Sequence, residues 1–377
     1  MNRVSSNHTE AKLTAGDKPA TSNVVYENKR KDSFRLNIGY ETNGAALNGT
    51  GGTVDRRVRV DVAKDNLIGL NDSWRGSLAS GINTNEATAG FTLPFRRFTF
   101  GVNGSYSESL SAVASGVELF QRTSIVTGSL SYNLERNKNI QSSIDTSMTW
   151  RRSDRHINDA RLTDQTFSIA RAGFSRTHLF ETSQFYYGAG FNKGLTIWNA
   201  MRDPVEPDHT APRAQFWKVD ASAGYMKGFK DVGTLRIDVT GQWTNHALYS
   251  DDQLTLGSST SVRGFTNSAA KVDKGFVARS EFAFVLPADW ILGDNKENLV
   301  LTHEILTSMQ PYLFADYGYG WDIANKREIS RSGVGIGLRY QHGRLNFDLS
   351  YAHPILESGT KYKRSPEIYL TASLKLF

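Results

Sequence analysis

Hydrophobic and polar residues alternate with a period of two along most of the chain, and this pattern constrains the fold more than any other feature. In Thr234–Trp243 the odd positions are apolar or small and the even positions are polar. Four further segments alternate in the same way: Phe34–Tyr40, Val58–Val62, Val334–Tyr340 and Leu345–Tyr351. This period is typical of β-strands with one apolar and one polar face. We therefore predict an all-β fold with about sixteen strands between Ser33 and Phe377.

Two architectures fit such strands. A soluble sandwich turns the apolar face inward, whereas a transmembrane barrel turns it outward to lipid and has a polar lumen. The predicted connections favour the barrel because short ones alternate with long ones. The short ones are Pro94–Arg97, Glu135–Asn139, Phe180–Ser183, Gly228–Gly233 and Gln341–Arg344. The long ones are Glu41–Thr53, Trp198–Arg213, Asn245–Lys274, Trp321–Arg331 and His353–Pro366.

One connection, Pro287–Ser308, is long where a short turn is expected, and it contains a helix-like stretch near Asn298–Leu306. The tryptophans agree with the barrel, since amphipathic rings collect at both membrane interfaces. Two lie near the short-turn end, Trp74 and Trp290, and five where strands meet long connections, Trp150, Trp198, Trp217, Trp243 and Trp321. The mean hydropathy of −0.43 suggests a soluble chain, but a polar lumen and polar loops lower that average.

The sequence contains no motif typical of a catalytic or metal-binding site. The chain has no cysteine, and its eight histidines fall in no metal-ligand spacing. We find no catalytic residues by motif and predict no enzyme, cofactor or metal site. The formal net charge is +6, but the basic residues form no cluster of the kind that binds nucleic acid. They could instead meet lipopolysaccharide phosphates.

The connection Asn245–Lys274 carries the most informative motif, LTLG followed by SVRGF within Gln253–Phe265. In this order and position it resembles the haemolysin-activator family (ShlB/FhaC/HecB), the outer-membrane transporters of two-partner secretion. The resemblance covers nearly the whole chain. It includes the turn-like Lys64–Asp72, Tyr312–Gly318 and the closing segments Gly333–Arg339 and Leu345–Pro354.

The resemblance implies a 16-stranded antiparallel barrel of the outer-membrane protein-translocating superfamily. It also implies that the loop with Val262, Arg263, Gly264 and Phe265 folds into the lumen, where Arg263 meets Asp316. Strand alternation independently places Asp316 on the lumen side, because its neighbours Ala315 and Tyr317 fall on the apolar parity. We expect Gly264 to allow a tight turn.

Alternation places four more charged residues on the lumen wall as partners of the loop: Arg279, Glu281, Arg339 and Asp348. Glycines at alternate positions leave one strand face bare at Gly333, Gly335 and Gly337, so another segment can approach closely. Phe265 is expected to anchor the loop tip against the wall or against this glycine strip.

The domain organisation implied by the resemblance is a remnant over residues 1–32, similar to the end of a periplasmic POTRA domain, and a barrel over residues 33–377. We expect the chain to be a fragment, a truncated reading frame or a barrel alone, since no signal peptide is visible. Phe377 ends the chain as expected for recognition by the barrel-assembly machinery, but it falls on the face opposite to Leu374 and Leu376.

The function implied is export of a large secreted partner, such as a haemolysin, an adhesin or a contact-dependent toxin, across the bacterial outer membrane. The partners expected are this exoprotein, outer-membrane lipid with lipopolysaccharide, and the assembly machinery during biogenesis, with no nucleic acid. The alternatives are an assembly insertase of the same superfamily and a passive porin.

Overall fold

Sixteen antiparallel strands close into a barrel, which confirms the fold predicted from the alternation. The computed structural model describes residues 6–15, 22–30, 33–46, 56–114, 116–158, 160–206, 208–287, 300–358 and 365–377. The barrel strands are β3 (Phe34–Ala46), β4 (Arg56–Asp65), β5 (Ser73–Gly81), β6 (Thr84–Phe95), β7 (Phe98–Ala114), β8 (Val117–Arg136), β9 (Ile140–Ile157), β11 (Gln165–Leu179), β12 (Ser183–Leu195), β13 (Trp217–Phe229), β14 (Gly233–Trp243), β17 (Lys274–Phe284), β18 (Met309–Asp322), β19 (Arg327–His342), β20 (Leu345–Glu357) and β21 (Glu367–Lys375). The last strand, β21, pairs with β3 and closes the sheet.

Five shorter elements accompany the barrel. A separate two-stranded sheet precedes it, formed by β1 (Asn7–Ala15) and β2 (Ser22–Arg30). The short strand β10 (Ala160–Arg161) extends the β9 hairpin, and β15 (Leu254–Leu256) pairs with β16 (Ala270–Val272). The first barrel strand begins at Phe34, one residue after the boundary predicted at Ser33.

Some connections are shorter than predicted. The connection placed at Trp321–Arg331 has only four residues outside the strands, because β18 ends at Asp322 and β19 begins at Arg327. This expectation was wrong, since the strands of this hairpin continue pairing to Asp322 and Arg327. The connection placed at His353–Pro366 is likewise shortened, because β20 continues to Glu357.

The helix predicted in the exceptional connection is present as α1 (Val300–Ser308), directly before β18. The first two residues of the predicted stretch, Asn298 and Leu299, lie outside the described residues. Within the ranges given above, no helix has the length and apolar character needed to cross a membrane.

The two faces of the sheet differ as the alternation predicts. Outward residues are apolar and accessible, as for Val126, which is 48% exposed. The inward neighbour Thr127 instead bonds Thr149 of the next strand, with 3.0 Å between the hydroxyl oxygens. At the long-loop end the outward rings of Trp217 and Trp243 lie 5.0 Å apart, consistent with an aromatic girdle. Trp290 lies outside the described residues.

The orientation of the faces can be tested with arginine at adjacent positions of β8. Val126→Arg places a charge in the lipid-facing band and should destabilise the barrel in lipid vesicles by roughly 2–4 kcal/mol. Thr127→Arg places the same charge in the wet lumen and should cost far less. Urea unfolding in vesicles, followed by tryptophan fluorescence, measures both. Equal destabilisation by the two variants would contradict the assignment of the faces.

Candidate functional site

The connection between β14 and β17, called the lumen loop (residues 244–273), folds against the inner wall of the barrel. Its β15–β16 pair and a short 3-10 helix over Thr266–Ser268 give it internal structure. Asp273 fixes the base of the loop, because its buried carboxylate accepts hydrogen bonds from the backbone N–H groups of Leu248 (2.8 Å) and Ile323 (2.7 Å). The loop is therefore an ordered part of the lumen.

An apolar cluster attaches the loop to the wall. Leu256, Val262, Phe265 and Val272 of the loop are fully buried and pack with Val277 of β17 and Ile329 of β19. The Arg331 guanidinium lies 5.0 Å from the centre of the Phe265 ring. Phe265 thus packs against the wall, the first of the two places expected for it. Burial of this cluster stabilises the folded-in loop.

Arg263 lies at the centre of the site, and the structure brings it onto Asp316 of β18. The Arg263 side chain donates from Nε to Oδ2 (2.6 Å) and from one terminal nitrogen to Oδ1 (2.8 Å), while its backbone N–H also donates to Oδ2 (3.1 Å). Arg263 is only 5% exposed and Asp316 only 2%. The guanidinium also covers the Phe314 ring, 3.5 Å from its centre. A two-point, charge-assisted contact of this kind holds the loop in one geometry.

The protonation of Arg263 is set by two opposing effects. Burial lowers the pKa of its guanidinium, but the hydrogen bonds and negative charge of Asp316 outweigh burial and raise the net pKa above its ordinary value. Arg263 therefore stays positively charged at every physiological pH.

The other four predicted wall residues surround this pair. Arg279 lies 3.7 Å from Asp316 and donates to the loop carbonyl of Thr260 (3.1 Å). Glu281 lies 3.6 Å from Arg263 and also pairs with Arg339, whose Nε donates to Asp348 (2.9 Å). These charges alternate in sign across β17, β18, β19 and β20. The structure thus brings all five wall residues into one network around the loop.

The three glycines of β19 are spaces that neighbouring groups fill. A Cβ on Gly333 would overlap the backbone carbonyl oxygen of Arg263, so this glycine admits the loop. Cβ atoms on Gly335 and Gly337 would instead overlap the rings of Phe314 and Tyr312, which come from β18. Close approach was expected at all three, but the loop uses only Gly333 among them.

Gly264 lies at the tip of the loop in a tight backbone turn. Its φ is +91°, a left-handed conformation that favours glycine. Its N–H donates to the Tyr369 hydroxyl (2.9 Å), and a Cβ would come within 3.2 Å of the Pro354 nitrogen. The tip therefore needs glycine for both backbone shape and space.

Two functional residues on the last strand escaped the sequence reasoning. Glu367 accepts hydrogen bonds from the backbone N–H groups of Thr266 (2.9 Å) and Asn267 (3.0 Å), and Tyr369 donates to Glu367 (2.6 Å). Both side chains are buried, at 3% and 7% exposure. The signal was available, because Ile368 and Leu370 are on the apolar parity and Glu367 and Tyr369 are on the lumen parity.

A second contact on the far wall was also missed. Asp252 accepts two hydrogen bonds from Arg151 of β9 (2.6 and 3.3 Å), and its backbone carbonyl accepts from Lys218 of β13 (2.7 Å). Arg151 lies over the Phe167 ring, 4.6 Å from its centre. No sequence motif predicts this pair, because Arg151 and Asp252 are 101 residues apart. The lumen loop is therefore attached at two places on the wall.

The segment Lys64–Asp72, which resembles the family, forms the end of β4 and the turn into β5. The buried Asp72 carboxylate accepts from the N–H groups of Leu67 (3.0 Å) and Ile68 (3.2 Å) and from the Trp74 ring nitrogen (2.7 Å). Burial raises the pKa of Asp72, but these hydrogen bonds outweigh burial and lower the net pKa below its ordinary value. The motif shapes the turn that joins β4 to β5.

Phe377 lies at the seam between the first and last strands. Its ring centre is 6.3 Å from that of Phe34, and its carbonyl accepts from the Leu36 N–H (3.3 Å).

Among the described residues, no group of three or more histidine, aspartate or glutamate side chains is arranged to hold a metal ion.

Comparisons with known proteins agree with this architecture. The family model described as "Haemolysin secretion/activation protein ShlB/FhaC/HecB" matches residues 20–340. The chain is 24% identical over 296 residues to the outer membrane transporter CdiB of Dickeya dadantii, covering 74% of this chain and 51% of that protein. It is 21% identical over 299 residues to the hemolysin transporter protein HpmB of Proteus mirabilis, covering 75% and 52%.

A solved structure, CdiB from Escherichia coli, superposes with a TM-score of 0.81 over 98% of this chain and 67% of that chain. The two are 18% identical, so this match shows the shared fold alone. The chain spans about half the length of the curated relatives it matches, at 51% and 52%.

The strength of the central pair can be measured with Arg263→Ala. This change leaves Asp316 charged and buried, which should cost about 3–5 kcal/mol. The matched control is Arg236→Ala, because Arg236 is paired with Asp238 at 2.6 Å but its side chain is 61% exposed. The control should cost about 0–1 kcal/mol. Urea unfolding in detergent compares the variants, and equal losses would refute a special role for the buried pair.

The close approach at Gly333 gives a second prediction. Gly333→Ala should displace the loop and destabilise its folded-in position by about 1–3 kcal/mol, as overpacking does. Gly128→Ala is the control, since a Cβ there has no atom within 4 Å. Limited proteolysis of the lumen loop should be faster in the first variant only. Unchanged proteolysis in Gly333→Ala would contradict the contact.

Proposed function

Since the chain belongs to the haemolysin secretion/activation family ShlB/FhaC/HecB, we propose that it forms an outer-membrane channel that exports a secreted partner protein. The partner crosses the barrel unfolded, through the lumen, and the lumen loop gates or scaffolds the passage. The observation that carries this proposal is the buried Arg263–Asp316 pair inside a closed barrel.

The design of the loop supports a transport role. The buried Arg263–Asp316 pair holds the loop inside the lumen, because removing either partner leaves an uncompensated buried charge. Here the tip is held by Asp316, Glu367 and Tyr369, three residues on two strands. A firmly seated loop of this kind can set the width and shape of the passage.

The cargo class is proposed from the relatives. HpmB is named a hemolysin transporter, and the matching family is described by haemolysin secretion and activation. We expect this chain to export an exoprotein of the same broad kind, a haemolysin, an adhesin or a contact-dependent toxin. The family is a transport family and not an enzyme class.

The membrane location and the biogenesis partners belong to the same proposal. The outward apolar band suits the outer membrane, where basic residues at the rims would meet lipopolysaccharide phosphates. The barrel-assembly machinery would receive the chain through its last strand, β21, and the Phe377 that follows it. The division into a remnant over residues 1–32 and a barrel over residues 33–377 remains a prediction.

Planar bilayers and a secretion assay test the proposal. Purified protein should form channels, and cells that also produce a cognate exoprotein should secrete it. Arg263→Ala and Asp316→Ala should each reduce secretion about tenfold or more, because a shift of the loop equivalent to 1.4 kcal/mol already changes an equilibrium tenfold. Arg96→Ala, in the exposed turn between β6 and β7, is the control and should secrete normally.

Two outcomes would contradict the proposal: no channels from the purified protein, or normal secretion by both lumen variants. Depletion separates the insertase alternative. Loss of an exporter should lower one secreted protein, whereas loss of an insertase should lower many outer-membrane proteins.

A further inference from the structure

The wall formed by β3 to β8 differs from the wall that holds the lumen loop. We propose that the exported chain passes along this β3–β8 wall as an extended polypeptide, and that Arg75 favours acidic segments of it. This inference rests on the proposed export function and adds the path and the charge of the preferred cargo segments.

The first step is the position of the loop. Its ion pairs and hydrogen bonds reach Arg151 on β9, Lys218 on β13, Asp316 on β18 and Glu367 on β21. The contacts thus run from β9 round to β21. Because both charged attachments are buried, a chain passing on that side would have to break a buried pair.

The second step is the space on the other side. A cavity of about 410 Å³ is lined by residues of β3 to β8, including Arg35, Arg59 and Arg75. A second cavity of about 270 Å³ lies along the same wall and shares Arg75 with the first. The second one also includes Asn71 of the turn and Arg136 at the end of β8. The two cavities meet at Arg75, and together their lining, called the groove, extends from the middle of the lumen to the short-turn end.

The third step is the charge of the groove. Its charged lining residues are four arginines and two aspartates: Arg35, Arg59, Arg75, Arg136, Asp61 and Asp65. Both aspartates are already paired, Asp61 with Arg59 (2.7 Å) and Asp65 with Arg35 (2.9 Å). Arg75 is exposed and has no ion-pair partner among the described residues. It therefore presents a free positive charge where the two cavities meet.

The fourth step is the rest of the lining. Ser77, Thr88, Asn103, Ser105 and Thr127 contribute short polar side chains. Hydroxyl and amide groups can donate to and accept from the backbone of an extended chain. Each such contact is weak, and passage through a pore requires binding that is favourable enough for entry but weak enough for release. This wall combines a free cation with replaceable hydrogen bonds, as a sliding acidic polypeptide requires.

Current block by synthetic peptides tests the charge preference in planar bilayers. A peptide of alternating Glu and Ser, added at the short-turn side, should block at lower concentration than a peptide of alternating Lys and Ser. Arg75→Gln should raise the concentration of the acidic peptide needed for half block by about two- to fivefold, the value of one exposed charge pair. Arg75→Glu should reverse the preference. Arg96→Gln removes the same charge from the nearby turn outside the groove lining and should change nothing.

Cysteine labelling tests the path. The chain has no native cysteine, so Ser77→Cys in the groove and Ser350→Cys on β20 are matched single thiols. Both positions face the lumen, but Ser350 is only 5% exposed. A charged methanethiosulfonate reagent should label Ser77→Cys and lower the current, and the acidic peptide should slow that labelling. Ser350→Cys should stay unlabelled in the folded barrel.

Each outcome has a separate meaning. Block that does not depend on peptide charge, or labelling of Ser77→Cys that the acidic peptide does not slow, overturns this inference while the channel itself persists. Absence of any channel current from the unmodified protein overturns the export function as well.

Discussion

The ion pair between Arg263 and Asp316 is the interaction on which the inside of this barrel depends. Two opposite charges withdrawn from water are stable only with near-ideal geometry and full hydrogen bonding. The structure supplies both, through three hydrogen bonds to the carboxylate and an aromatic ring under the guanidinium. Neighbouring positions must then be small, which is why Gly264 and Gly333 stand where the loop backbone approaches the wall.

Once the tip is fixed, the lumen becomes asymmetric. The ion pairs and hydrogen bonds of the loop reach strands from β9 to β21, and its 3-10 helix also lies near β3, while the wall from β3 to β8 keeps a polar groove. The second attachment, Asp252 on Arg151, holds the loop to β9. The two attachments restrain the same segment from opposite sides, so the open path and the loop position are two consequences of one arrangement. The tip also touches β21, the strand that closes the barrel, which links the loop to the seam with β3.

Much of this could be predicted from the alternation, because strand periodicity of two fixes which side chains share a face. Alternation predicts the lumen face for five charged residues, and the structure has them there around Arg263: Asp316, Arg279, Glu281, Arg339 and Asp348. Glu367 and Tyr369 followed from the same rule but were overlooked. The connection predicted at Trp321–Arg331 is too long, because β18 and β19 continue pairing to Asp322 and Arg327, beyond the point where the apolar pattern fades.

The sequence by itself determined the strands, their two faces and the charges available to the lumen, because these are local consequences of residue order. The family resemblance implies that Arg263 meets Asp316, but residue order does not fix the full position of the loop. That position depends on contacts between residues far apart in the chain, such as Arg151 with Asp252 and Gly264 with Tyr369, which carry no local pattern. Nor could it show that Phe265 packs with Val277 and Ile329, or that Phe314 and Tyr312 fill the spaces beside Gly335 and Gly337. Only the closed barrel brings these residues together, since closure and strand register set which side chains meet across the lumen.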